Sequence, residues 1–156
     1  MTYERLDEAL ERLRQIREAR KAAEERKRLA AAAAAAEFAR IKAEIIEPVF
    51  VEIIVQLAGR GFWGEIGHGA DATGPISLVA DLSESEGVSQ KESLRVIFDQ
   101  DNALCQFDRA KAHAQDISAN VVGDTYRLEE ITANLVNQQV EEFIVDLASR
   151  EIDKAA

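Results

Sequence analysis

The 156-residue sequence has one cysteine, two histidines, two prolines and one methionine. A lone Cys105 excludes an intrachain disulfide framework. Together with His68 and His113 it also supplies too few ligands for a Cys/His zinc site. No run approaches the ~20 apolar residues that span a bilayer. The opening MTYERLDEAL is too charged for the apolar segment of a signal peptide. The expectation is therefore a cytoplasmic protein without a membrane partner. Aromatics make up only 6% of the chain, yet 47% is hydrophobic and the net charge is -10. Leu, Ile, Val and Phe are frequent enough to exclude wholesale disorder. The length suits one domain, or one domain with an appendage.

Glycine and proline are missing from residues 1 to 47, while all eight glycines lie between Gly59 and Gly123. The N-terminal stretch is built from Ala, Glu, Arg, Lys and Leu, the strongest helix formers. Glu8 with Arg12 and Glu24 with Arg28 stand at ion-pair spacing along it. A helix from about residue 3 to about residue 46 would be roughly 65 Å long. A domain of the remaining length cannot enclose that, so the helix must project or pair.

Its seam is weak. Leu6, Leu10 and Leu13 follow spacings of four and three, Ile16 extends them, and Ala23 continues among charged residues. Seven alanines then run from Ala30 to Ala36. Small side chains let two helices approach closely, which makes Leu6, Leu10, Leu13, Ile16, Ala23, Ala30 and Ala33 the expected self-association face. A helix merely solvated and held by propensity is the simpler alternative. Between Arg12 and Arg28 stand eight basic and three acidic residues. Arg12, Arg14, Arg17, Arg20 and Lys21 thus form a candidate arm for phosphate backbones.

The rest reads as a head. Residues 1–37 contain five Leu, Ile, Val or Phe against 37 in residues 38–156, which sets the expected boundary between helical arm and head domain. Phe38, Ile41, Ile45, Val49, Ile53 and Leu57 form one stripe and Ile46, Phe50 and Ile54 another, predicting a helix buried on two sides. Glu47-Pro48 predicts a kink or a new helix start. Strands are expected at Phe62–Ile66, Ile76–Leu82, Leu94–Asp99 and Leu104–Asp108, with SESEGVSQ (83–90) a mobile linker. Alternation with one polar face predicts a meander covered on one side. Residues 109–120 fit either a short helix or a loop. A final helix is expected from Tyr126 to about Ile152, capped by Asp124 or Thr125. The fold class is α+β: a long helical arm, a buried helix, a three- to four-stranded antiparallel meander and a C-terminal helix.

Motifs for chemistry are thin. Gly59-Arg60-Gly61-Phe62-Trp63-Gly64 spells GxGxxG, but a helix precedes it and a strand follows, the reverse of a dinucleotide turn. Gly59 and Gly61 are expected to end a helix, and Gly64 to let the chain turn. Phe62 and Trp63 are expected to cap the core. The alternative is a mobile loop over residues 59–74 that displays Phe62, Trp63 and His68 to a partner. Asp99-Gln100-Asp101-Asn102 starts like a calcium loop but fails at Ala103 and Leu104, so a hairpin turn is expected. His68 near Glu65 and Asp71 lacks a nucleophile, and Cys105 reads as a packing residue. No catalytic residue, metal or cofactor is expected.

The charge divides unevenly, about +2 over residues 1–44 and -12 over residues 45–156. The reading is a non-enzymatic protein that self-associates through its N-terminal helix, as a homodimer or higher, and presents an acidic head to a protein partner. Two alternatives stand beside it. One is a small acidic chaperone or adaptor for a client protein, the other a nucleic-acid-associated protein using residues 12–28.

Overall fold

The computed structural model describes residues 3–83, 91–111 and 123–155. The expected linker and most of the ambiguous segment, residues 84–90 and 112–122, lie outside them, as does His113. The elements run α1 (Glu4–Ile41), a wide π-turn (Lys42–Ile46), α2 (Glu47–Gly59), β1 (Trp63–His68), β2 (Ile76–Asp81), β3 (Glu92–Asp99), β4 (Leu104–Lys111), β5 (Thr125–Arg127), a 3₁₀ turn (Leu128–Glu130) and α3 (Ala133–Ala155). The architecture is α+β, with one helical run over residues 4–59, an antiparallel sheet and a C-terminal helix.

Residues 4–59 together extend about 80 Å, longer than the predicted helix. Pro48 does not end the run. It falls in the first turn of α2, after the π-turn, where the Glu47 amide reaches back to the Lys42 carbonyl. A wide turn leaves room for a ring that would clash with the preceding carbonyls of a regular helix. Gly61 ends the run with φ +85°. The Phe62 amide bonds the Leu57 carbonyl at 2.9 Å and the Gly61 amide bonds Ala58 at 3.1 Å. Those two bonds and the left-handed residue make a Schellman stop.

The sheet is a five-stranded meander in order β1-β2-β3-β4-β5, every pair antiparallel. The expectation of three or four strands missed β5, because Thr125–Arg127 lay within the predicted final helix and its cap. That helix starts later, at Ala133. Thr132 supplies its cap, its hydroxyl accepting from the Leu135 amide at 3.2 Å. Asp124 serves the sheet instead, its carbonyl accepting from the Phe107 amide at 2.9 Å.

Side chains of Ile76, Leu78, Ala80, Leu94, Val96, Cys105 and Phe107 form the core face of the sheet. Phe38 and Ile41 from α1, Ile46, Val49, Phe50 and Leu57 from the π-turn and α2, and Val136, Val140, Phe143 and Leu147 from α3 cover it. Phe38 is the first fully buried residue of the chain and stacks on Phe98, centroids 4.7 Å apart. Gly64 is not a turn residue: it sits in β1, and a Cβ there would stand 3.2 Å from Ile54 and 3.4 Å from Leu57. Its missing side chain lets α2 lie close on the strand.

The opposite face of the sheet is not simply solvated, as alternation had suggested. Ser93 and Asp108 are buried there, and Arg95 grips Asp108 with two hydrogen bonds of 2.9 and 3.1 Å across β3 and β4. Such a bidentate pair fixes register as well as charge.

Asp99–Asn102 forms the expected hairpin turn, with Asp99 Oδ1 accepting from the Asp101 and Asn102 amides. Ala103 closes it at φ 53°, a left-handed position that costs an alanine roughly 1 kcal/mol relative to glycine. Ala103→Gly is therefore expected to raise stability by about 0.5–1 kcal/mol, net of the added chain entropy of glycine. Urea unfolding checks this: an unchanged or lower midpoint at constant slope contradicts the turn geometry.

Candidate interaction surface

Residues 3–30 are exposed on every side. This part of α1 extends about 40 Å. Leu6, Leu10, Leu13 and Ile16 remain 52%, 54%, 41% and 49% exposed, and Tyr3 precedes them at the same spacing. Ala23, Ala30 and Ala33 are also exposed. The alanine run is nevertheless divided. Ala31, Ala34 and Ala35 are half-buried, and Ala34 packs on the chain's own core. Part of the small-residue face expected for a partner helix is therefore used within the chain.

Helix formation along this arm draws on alanine and on local ion pairs. These are not the predicted Glu8–Arg12 and Glu24–Arg28 pairs. Arg14 bonds Glu11 at 2.6 Å and lies 3.7 Å from Glu18, while Arg28 bonds Glu25 at 2.5 Å. A spacing of three lets the short arc between adjacent turns be spanned by a bidentate guanidinium, which wins over the single contacts at four. The Arg14 guanidinium holds the Glu11 carboxyl below its ordinary value, and Arg28 does the same for Glu25. A carboxyl lowered in the folded state contributes fully above the ordinary carboxylate range. That contribution is lost as pH falls through the range toward the lowered value.

Of the candidate basic arm, only Arg14 is paired in this way. Among the described residues, Arg12, Arg17, Arg20, Lys21, Arg26 and Lys27 make no ion pair, nor do Glu4, Asp7 and Glu8. The arm thus presents unneutralised charge of both signs in two blocks, acidic toward its start and basic beyond.

On the head, Phe62 and Trp63 do not cap the core; they are 44% and 40% exposed. Nor do they hang on a free loop. Phe62 completes the stop of α2, and Trp63 opens β1, paired with Asp81 of β2 and stacked under the Lys91 ammonium at 4.3 Å. Lys42 ties down the β1–β2 connection by donating to the Asp71 and Gly74 carbonyls at 3.3 and 3.1 Å. His68 is exposed at the end of β1, opposite Ile76. Among the described residues it bonds neither Glu65 nor Asp71. The two expected stripes pack into or against the core, while Val51 and Val55, one turn apart on α2, are exposed. Both lie off the two apolar stripes read from the sequence, which is the signal that could have found them.

Chemistry-bearing side chains are engaged in packing. Cys105 is buried, and burial pushes its thiol up to about 12. It is thus held as the neutral, poorly nucleophilic thiol at neutral pH. Folded chain at pH 8 is expected to react with a disulfide reagent at least 100-fold more slowly than chain in denaturant. Equal rates contradict the burial. Gln139 is buried as well, donating to Asp124 Oδ2 and to the Tyr126 hydroxyl at 3.0 Å each. Beside it, Leu94, Phe107, Arg109, Gly123, Asp124 and Glu142 line a shallow cleft of about 160 Å³. Arg109 there pairs with Asp146. Among the described residues no group of three or more His, Cys, Asp or Glu is placed to hold a metal ion, and no helix is long and apolar enough to cross a membrane.

What the fold and surface define is an acidic α+β head on a projecting helical arm. Comparison with protein-family models, curated proteins and solved structures finds no match.

Proposed function

We propose that this chain is a non-enzymatic assembly protein that joins copies of itself through the exposed part of α1 and holds its acidic head out to a protein partner. The observation that carries this is the line of half-exposed Leu6, Leu10, Leu13 and Ile16 on an arm that stays exposed on every side among the described residues. A helix gains most of its stability from packing an apolar face rather than from propensity alone. Four large aliphatic side chains on one stripe lose contact with water only when a second helix covers them. The head has its own complete core, so assembly adds to the fold rather than finishing it. Its net -12 keeps heads apart while the near-neutral arms meet.

Subunit mixing tests this reading. Ala22→Cys places a label on the exposed arm, and buried Cys105 stays unlabelled. Donor-labelled and acceptor-labelled chains mixed at tens of micromolar are expected to show energy transfer. Absence of transfer after prolonged mixing overturns the reading.

A second reading, a phosphate-binding arm, is favoured by six basic side chains within residues 12–28 that make no ion pair among the described residues. It requires affinity for duplex DNA that falls steeply between 50 and 200 mM salt. Binding that survives replacing Arg12, Arg14, Arg17, Arg20 and Lys21 with alanine eliminates it.

A further inference from the structure

We infer that two copies pair their arms antiparallel, centred near Ile16, so that the acidic first turns of each arm lie against the basic segment of the other. The inference rests on the self-association reading above and adds the partner's orientation and register.

The argument begins with where the free surface ends. Because Ala34 and its neighbours already pack on the head, the segment available to a second copy is residues 4–30. Within it the charge is segregated. Glu4, Arg5, Asp7, Glu8 and Glu11 sum to -3 over residues 4–11. Arg20, Lys21, Arg26, Lys27 and Arg28 against Glu24 and Glu25 sum to +3 over residues 20–28. A parallel pair in register would set each block against its own copy and bring two heads of -12 side by side. An antiparallel pair centred near Ile16 sets the -3 of residues 4–11 against the +2 of residues 21–28 at both ends and sends the heads to opposite poles. Among the described residues Glu4, Asp7 and Glu8 at one end and Lys21, Arg26 and Lys27 at the other make no ion pair, and this arrangement brings those two ends together.

Antiparallel pairing also sets the two helix macrodipoles in opposed directions, which is the favourable arrangement for neighbours.

Small-angle scattering of the unmodified chain tests this directly, because mass and length are read together. Two chains overlapped over residues 4–28 place the ends of their helical runs about 130 Å apart, against about 80 Å for a parallel pair. A mass of two chains with a maximum dimension near 130 Å is the expected result. Two chains with a dimension near 80 Å overturn the orientation while leaving self-association standing. A single-chain mass overturns both, and a mass above two chains overturns the pairwise arrangement. Cysteine substitution provides a second readout. Ile16→Cys is expected to oxidise to a disulfide-linked dimer. Leu6→Cys is not, because its two copies lie about 30 Å apart. Efficient linkage at both positions means a parallel pair and contradicts the proposal.

Discussion

Replacing Phe38 with alanine is expected to cost the head about 3–5 kcal/mol and to lower its unfolding temperature by about 10 °C or more. Phe38 is wholly buried, stacks on Phe98 of β3, and lies beneath the Lys42 ammonium at 5.6 Å. It is the point where the arm ceases to be free and the helix becomes part of the core. Its neighbours Ile41, Ile46 and Phe50 come from the same helical run and the sheet below is a five-stranded meander, so the site has little freedom to collapse. A domain of this size is stable by only about 5–15 kcal/mol, and the loss is a large share of it. Denaturant unfolding of the variant measures the effect. A loss below about 1 kcal/mol means that α1 is not docked where Phe38 places it.

The second large effect concerns association rather than folding. Leu10→Glu with Leu13→Glu is expected to weaken self-association at least 100-fold. Burying a leucine contributes about 1.5–3 kcal/mol, and a dimer loses four of them while gaining four carboxylates on its seam. The same pair is expected to leave the head's unfolding midpoint within about 0.5 kcal/mol, since both positions face water in the single chain. The two variants thus separate the parts of the molecule. Phe38→Ala damages the head, and the double glutamate variant damages only what the arm does between copies.

Much of this organisation was legible before any coordinates. A chain without Gly or Pro for 47 residues and with alanine at seven successive positions has few alternatives to helix. Alternation through Ile76–Leu82 and Leu94–Asp99 carries the β2 and β3 register. Turn chemistry at Asp99–Asn102 was equally plain, because Asp99 can bond the amides two and three residues on. Failures cluster where two signals compete. Leu128 and Ile131 fit a helical period with Leu135 and Val136, and that period hid a three-residue strand and a 3₁₀ turn that bury the same side chains. Thr132, the actual cap, is an ordinary threonine in mid-pattern until the strand before it is known.

Pro48 stands in the first turn of a new helix, one of the two outcomes read from the sequence, but a local rule about proline does not foresee the π-turn that makes room for the ring. Gly64 was read by its conformational freedom, yet it matters for the volume its missing side chain leaves to Ile54 and Leu57. The division of the alanine run between the head and the solvent was not legible at all. Alanine side chains are alike, and only the position of the head decides which of them are covered.

The central proposal is that a second copy covers the exposed stripe from Leu6 to Ile16. Sedimentation equilibrium of the unmodified chain between about 1 and 100 μM tests it most directly. The account predicts a mass that rises with concentration toward twice the 17.2 kDa of one chain. A mass that stays at one chain across the range contradicts it.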